Sequence, residues 1–393
     1  MHFSNLITAL AVPLVFAVPQ LEPLETDTFN AEPTSIISTL IQSSVSATRT
    51  IPQSSVLFSS TIPVLESTEL SSLPLPSTTS EAIPEETTGG ETVGCSGQTI
   101  RKEVRQMKKD GDWEAFVSAY KSMVADGTLS NWVNQPHFLP YHRIFLKKFE
   151  QDLQARGAKY LPYWDSSADS QDLTNSQIFS AEFFGTLATD GTIENGPFSR
   201  GNYSTPTGGF PLVRGYSKEK TLYAYSLILP DINNPSFSTM SKNIEYGQHA
   251  TVHSVVGGDE GSMGKPTSPD DPLFFLHHCY VDFIFYRWQL QNPGTTFESR
   301  SYGGQSMTPN EIIMPWNVPV RNAWTVEQVC SGYEDPDPTV VKIAGDGTIK
   351  PPSNATSWLN NVGANQTIAK NVAKKVEEIV KKVNLPSNSG SII

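Results

Sequence analysis

The segment "SPDDPLFFLHHCYVDFIFYRWQLQ", residues 268–291, determines the fold prediction. Its residues are apolar nearly all round at helical spacing, which is typical of a helix buried inside a bundle. Asp271 is a natural N-cap, Pro272 suits the first helical position, and Pro293-Gly294 stops the helix. The segment therefore predicts a buried helix. The chain around it predicts a mainly α fold, namely a four-helix bundle with long loops.

The histidines of the chain are clustered along the sequence. There are seven, and apart from His2 they form three pairs, namely His137/His142, His249/His253 and His277/His278. The second pair has i, i+4 spacing, so both imidazoles project from one helix face and can reach a single metal ion. The third pair lies in an apolar run, where an imidazole without partners costs about 1–3 kcal/mol per unsatisfied polar group. A ligand role would remove that cost.

Three further helices are predicted on either side of this segment. The stretch 142–157, "HRIFLKKFEQDLQARG", has one apolar face and ends at a glycine, and 243–258 ends at two glycines. Near the C-terminus, 367–383 carries an apolar stripe formed by Ile368, Val372, Val376, Ile379 and Val383. This last helix either docks on the core or binds a partner.

Composition divides the chain into four parts: 1–17, 18–93, 94–335 and 336–393. The first reads as a secretory signal, with a buried or interfacial segment as the alternative. The second is rich in Ser, Thr and Pro with one Arg, no Lys and no Trp or Tyr, so we expect a disordered stalk, propeptide or plain linker. The third is the globular domain, and the fourth is a linker with the C-terminal helix.

Charge and cysteine content narrow the function classes. The formal net charge of -12 argues against a nucleic-acid partner, and no stretch reaches transmembrane length. Three cysteines are too few for a disulfide scaffold; Cys95 and Cys330 flank the globular part and are candidates to pair, whereas Cys279 is predicted to be a buried thiol. Sequons at Asn202, Asn354 and Asn365 agree with a secreted glycoprotein.

The ligand type indicates the metal. Imidazole ligands without carboxylate or thiolate suit copper or zinc, and redox chemistry would select copper. A zinc protease of the H-E-x-x-H type is disfavoured, because "HATVH" has Ala250 where the general base should be.

The histidine-bearing stretches also resemble segments of a known protein family. "HATVHSVVGG" followed by "SPDDPLFFLHHCYVDFIFYRWQ" resembles the copper-B half of the tyrosinase/catechol oxidase family of type 3 copper proteins, and "FLPYHRIFLKKFEQDL" resembles its copper-A helix. The resemblance covers roughly 95–335. It implies a four-helix bundle holding two coppers on three histidines each, with dioxygen and a small phenol as substrates and an o-quinone as product.

Carried over by motif, His249, His253 and His278 would bind copper B, and His277 would be a neighbour. His142 matches the last copper-A ligand. The family usually has a histidine nine residues before it, where this chain has Val133, and no histidine occurs between Cys95 and Pro136.

Two of three copper-A ligands therefore lack a counterpart, and only the copper-B site is secure. His137 is a partial substitute or else a loop histidine at the pocket mouth. Two explanations of the gap remain open: a short internal loss, natural or from a mispredicted exon, or a divergent member that binds mainly copper B.

Three other residues receive predicted roles. Asp282 lies one turn after His278, where it either accepts the second imidazole N–H or forms a salt bridge to Arg143 or Arg287. Arg143 and Asp282 are therefore candidates to support the ligands. Ala250 is placed in the substrate pocket, at a position where family members with strong monophenolase activity often have Asn, so it favours diphenol oxidation.

The sequence therefore predicts a secreted copper oxidoreductase that converts phenols or o-diphenols to o-quinones, in pigment or quinone formation. The alternative is an impaired or non-catalytic homologue that binds copper mainly at copper B. Reversible dioxygen binding, as in hemocyanin, would need both coppers and is disfavoured by the same gap.

Overall fold

The computed structural model describes Cys95 and residues 97–128, 138–297, 300–302, 305–341 and 349–384. The predicted signal, the Ser/Thr/Pro-rich region and His137 lie outside the described residues.

The globular part begins with a short strand and two helices. Strand β1 spans Thr99–Arg101, helix α1 Val104–Lys109 and helix α2 Trp113–Ala125. Gly111 separates the helices with a φ of 80°, a conformation that favours glycine.

Helix α3, at Phe138–Gln154, begins four residues before the predicted start, so His142 lies inside the helix and not at its first position. Its apolar face is buried, with Phe149 stacked on Phe275 at a ring-centroid distance of 3.6 Å. The region after it is mostly loop, as predicted, but contains helix α4 at Tyr225–Ile232.

The histidine-bearing elements follow. Helix α5 at Phe237–Ile244 runs through a π-helical turn, Glu245–His249, into helix α6 at Ala250–Gly257. A β-carbon at Gly257 would lie 1.9 Å from the backbone nitrogen of Gly264, so the end of α6 requires glycine. The buried helix predicted from the sequence is α7, Leu273–Gln291.

The remaining elements are short strands and two C-terminal helices. They are β2 Arg300–Tyr302, β3 Gln305–Met307, β4 Ile312–Ile313, β5 Val318–Pro319, β6 Ser331–Tyr333, α8 Thr356–Asn361 and α9 Gln366–Val383. β2 pairs with β3 and β4 with β5, both antiparallel, and β6 pairs in parallel with β1.

The core lies where α3 packs against α2 and α7, while α7 also contacts α4 and the π-helical turn. The predicted mainly α class is confirmed: the helices α2, α3, α5–α6 and α7 form the core, and the described strands are two or three residues long.

A disulfide joins Cys95 to Cys330 beside the β1–β6 pair, so the two ends of the globular part are linked covalently. Cys279 is a buried free thiol, as predicted.

Helix α9 docks on the core, through α4 and the π-helical turn. Val372, Val376 and Val380 are its buried residues, and Lys375 pairs with Asp231 at 2.8 Å. The predicted stripe was wrong at its end, since Val383 is 41% exposed and Val380 takes its place.

A buried charge network connects α3 to α7. The Nε of Arg143 donates to a carboxylate oxygen of Asp282 at 2.7 Å, and the Tyr333 hydroxyl donates to the other oxygen at 2.6 Å. Arg101 lies 3.5 Å from the same carboxylate and also pairs with Glu150 at 3.0 Å. Asp282 is therefore surrounded by donors.

We expect Asp282→Ala to lower the free energy of unfolding of the metal-free protein by roughly 3–5 kcal/mol, because it leaves the buried Arg143 guanidinium without a carboxylate and removes one of the two carboxylates beside Arg101. Urea unfolding followed by circular dichroism measures the change. The control is Asp335→Ala, which breaks an exposed pair with Arg287 and should cost less than about 1 kcal/mol. Equal losses in the two variants would contradict this account of the network.

Candidate metal centre

Four histidines from three elements, the π-helical turn, α6 and α7, meet inside the core. His249, His253, His277 and His278 are buried, and each offers a ring nitrogen that lies within 4.8 Å of those of the others. Within the described ranges this is the one group of at least three potential ligands. The arrangement follows from the helices: i, i+4 spacing aligns the first pair, and α7 brings the second pair alongside.

The side-chain hydrogen bonds fix the tautomers of three imidazoles. The Nδ1 of His249 lies 3.0 Å from the carbonyl oxygen of Glu245, and that of His253 lies 2.9 Å from the carbonyl of Met263. The Nδ1 of His142 lies 2.6 Å from the carbonyl of Phe138. Because a carbonyl only accepts, each Nδ1 must carry the proton, and each Nε2 presents a lone pair to a metal.

The remaining nitrogens are poorly satisfied without a metal. The Nε2 atoms of His253 and His278 face each other at 3.2 Å, and Nδ1 of His278 and both ring nitrogens of His277 are buried without a hydrogen-bond partner. Buried polar atoms usually have partners, so these orphan nitrogens are an energetic cost of the arrangement. The facing Nε2 atoms are placed to share a metal ion, and the donor set suits copper or zinc.

Burial keeps these imidazoles uncharged. Desolvation lowers the pKa of His142 to about 4, against a weaker opposing effect of its backbone hydrogen bond. Desolvation, followed by repulsion from the neighbouring histidines, holds the pKa values of the other four well below the ordinary value. Neutral imidazole is the form that binds metals, so the site is prepared for coordination over a wide pH range.

His142 reaches the same place from α3. Its ring stacks on that of His278, with a centroid distance of 4.0 Å and an interplanar angle of 19°. Its ring nitrogen is not among the four that lie within 4.8 Å of one another. The described histidines thus divide into a compact group on α6 and α7 and one opposing imidazole on α3.

The imidazoles open into a cavity of about 350 Å³. It is lined by Phe138, His142, Glu245, Tyr246, His249, His253, Ser268, Phe274, His278, Trp358, Leu359, Val362 and Ala364. A larger cavity, about 530 Å³, lies elsewhere, near Arg105 and Lys109, and has no histidine in its lining.

Some of the predicted site residues line the cavity and others do not. His142, His249, His253 and His278 line the cavity, whereas His277 lies behind it. Ala250 is fully buried against Ala355, Trp358 and Leu359 and is not part of the lining, so its expected exposure to substrate is corrected.

The predicted support for His278 is also corrected. Asp282 bonds to Arg143 and Tyr333, and Nδ1 of His278 has no partner, so the salt-bridge alternative is the one observed. The partner is Arg143, because Arg287 pairs with Asp335 instead. His137 lies outside the described residues.

Sequence reasoning missed two parts of the pocket. Phe138 precedes the expected start of α3, and Trp358 and Leu359 belong to the segment interpreted as a linker. One signal was present: Trp358-Leu359 is an apolar pair within the polar stretch "SNATSWLNN".

The fold and site together define a helical domain with a buried, histidine-rich metal centre. The family model described as "Common central domain of tyrosinase" matches residues 112–291. A tyrosinase from Streptomyces antibioticus is 30% identical over 237 residues, covering 54% of this chain and 85% of that protein. A tyrosinase from Streptomyces glaucescens is 27% identical over 239 residues, with the same coverage of both chains. The chain belongs to the tyrosinase family of type 3 copper oxidoreductases.

Solved structures give similar matches. A polyphenol oxidase from Thermothelomyces thermophila is 19% identical and covers 61% of this chain and 89% of its own, with a TM-score of 0.49. A functional unit of octopus hemocyanin is 18% identical and covers 72% of each chain, with a TM-score of 0.47.

Among the described residues, the structure has no helix that combines the length and apolar character needed to cross a membrane.

We expect His278→Ala to weaken zinc binding by roughly 100-fold or more, since even residues that only orient a ligand typically change affinity by 10–100-fold. His277→Ala, at the residue behind the cavity, should weaken binding less than tenfold. Competition with a chromogenic chelator measures both affinities. A larger effect for His277→Ala would identify the other ring of the pair as the ligand.

The buried imidazoles also predict the acid sensitivity of the metal-free protein. Unfolded histidine titrates near pH 6.5, but folded His142 has a pKa of about 4, so the unfolded state binds more protons between these values. Each such histidine therefore lowers the free energy of unfolding by about 1.4 kcal/mol per pH unit as the pH falls.

The pKa of Glu103, raised by burial to about 7, acts in the opposite sense. The contribution of Glu103 cancels when the protein is compared with its His253→Asn variant, because both contain Glu103. The variant lacks one titrating imidazole, so we expect it to lose stability less steeply below pH 6.5. Urea titrations at several pH values measure the slopes, and parallel slopes in the two proteins would refute the prediction.

Proposed function

We propose that this chain is a secreted, copper-dependent oxidoreductase that oxidises phenols, and o-diphenols in particular, to o-quinones with dioxygen. The proposal rests on family membership and on one structural observation: imidazoles with free Nε2 atoms converge on a single cavity. Copper bound there would supply the redox chemistry between the phenol and dioxygen.

The chain's own residues would hold the metal. His249, His253 and His278 are the proposed ligands of one copper, since all three line the cavity and two have tautomers fixed by backbone carbonyls. His142 faces them from α3 as the proposed ligand of a second ion. Any further imidazole for that ion would have to come from His137 or from a rearranged His277.

The cavity suits a small aromatic substrate. Its volume of about 350 Å³ lies at the lower end of the roughly 300–1,000 Å³ typical of ligand pockets. Phe138, Phe274 and Trp358 contribute aromatic walls, and the four imidazoles are at one end. These walls would orient a phenol ring and exclude water around its hydroxyl groups.

The proposed preference for o-diphenols rests on residue 250, where family members with strong monophenolase activity often have Asn. Ala250 carries no polar group and is covered by α8 outside the cavity lining, so it offers no group that could assist in removing the proton of a monophenol. Secretion is proposed from the N-terminal segment 1–17, and glycosylation from the three sequons, whose asparagines are exposed.

The test uses the full chain, purified and loaded with copper. We expect oxygen uptake with 4-methylcatechol, formation of the quinone in its visible absorption, and slower or no turnover of the matching monophenol. His253→Ala should abolish uptake, and Lys218→Ala, at an exposed position away from the pocket, should leave it unchanged. Copper is counted in the same samples by mass spectrometry.

The outcomes separate the candidate functions. Two coppers per chain with oxygen uptake would support the oxidase. One copper without uptake would support the impaired homologue, and reversible oxygen binding without quinone would support an oxygen carrier.

A further inference from the structure

The C-terminal segment reaches the metal pocket through Trp358. The indole ring stacks on the imidazole of His253 at a centroid distance of 4.0 Å and an angle of 8°. Its edge also approaches His249, at 6.3 Å and 81°. The residue is 6% exposed and lines the cavity. A residue outside the matched family region, 112–291, thus touches two proposed ligands.

The contacts that hold Trp358 lie on both sides of His253. The backbone N–H of Trp358 donates to the hydroxyl of Ser254 at 3.1 Å, and the hydroxyl of Ser357 lies 3.2 Å from the same oxygen. The side chain of Asn361 donates to the carbonyl of Gly264 at 2.6 Å. The indole is therefore fixed against the helix and loop that position His253.

Ala250 makes room for this segment. Its side chain forms a small apolar cluster with Ala355, Trp358 and Leu359, separate from the main core. A larger side chain at this position would push α8 outward. The small residue in "HATVH" is thus explained by packing.

The same segment contributes a continuous stretch of the cavity lining, which is called the C-terminal wall. Leu359, Val362 and Ala364 line the cavity together with Trp358, and α3 contributes Phe138 and His142. These four C-terminal residues carry no charge, so the wall selects by shape and apolar contact.

We propose that Trp358 is a specificity-determining residue, which limits the size of the aromatic ligand that reaches the metal. The proposal rests on the proposed function, because it assumes that this ligand is a phenol. The indole fills space directly beside His253, so a shorter side chain would open room for a ring substituent. Each apolar group that a pocket admits or rejects changes discrimination by roughly 10–200-fold.

The test measures binding without turnover, on the full chain loaded with zinc, which is redox-inert and accepts imidazole ligands. Calorimetry under argon gives the affinities for catechol and for 4-tert-butylcatechol. In Trp358→Ala we expect the affinity for the bulky catechol, relative to catechol, to rise about tenfold. In Trp358→Phe, which keeps an aromatic ring and is a milder change, we expect about threefold.

The matched control is Trp316→Ala, which removes a partly buried tryptophan that does not line the cavity and should leave the ratio unchanged. Zinc content and thermal unfolding confirm that each variant is folded and loaded. Trp358→Phe alone decides the question where the alanine variant does not fold.

An unchanged ratio in folded Trp358 variants would overturn the proposal. An equal gain for both catechols would also overturn it, because Trp358 would then be a general cover. Binding of neither catechol to the zinc-loaded protein would refute it as well. Oxygen uptake by the copper-loaded protein tests the proposed function separately: size selection without uptake would uphold the role of Trp358 and reject the oxidase.

Discussion

The salt bridge between Arg143 and Asp282 sets the geometry on which the metal centre depends. Arg143 follows His142 directly on α3, and Asp282 lies one turn after His278 on α7. The bridge therefore fixes the two helices relative to each other at the height of their histidines, and the stacking of His142 on His278 follows from it. Buried ion pairs contribute little net stability, but they can specify one arrangement among several. Here the ion pair specifies the distance between His142 on α3 and His278 on α7.

A second constraint is that the histidines must be buried and uncharged at once. Burial prevents protonation, and backbone carbonyls determine which nitrogen keeps its proton. This burial has an energetic cost at His277 and His278, because both retain buried nitrogens without hydrogen-bond partners. Metal binding at the Nε2 atoms would use the uncharged, oriented imidazoles that folding provides, so coordination and folding would be linked.

The sequence predicted the parts of the site that depend on local spacing. The i, i+4 pair, the adjacent pair and the helices that carry them follow from periodicity, and the structure assembles them into one group. The sequence could not decide between Arg143 and Arg287 as the partner of Asp282, or between the two roles of Asp282, because such choices depend on the packing of distant elements. Helix α4 was missed within a stretch rich in Gly, Pro and Asn. Trp358 was missed since its contact with His253 joins residues more than a hundred positions apart.

The pocket is thus formed by two parts of the chain, the histidine-bearing helices and the C-terminal segment. The helices α3, α6 and α7 and the π-helical turn place the imidazoles by regular spacing, and all of them lie within the region that the family model matches. The C-terminal wall consists of apolar side chains anchored to Ser254 and Gly264, and it touches the ligands only by packing. Changes in that wall alter the shape of the cavity without altering the donor set. Under the proposed function, reactivity and selectivity would therefore be separable, with the first located on the bundle and the second on a segment that the bundle holds in place.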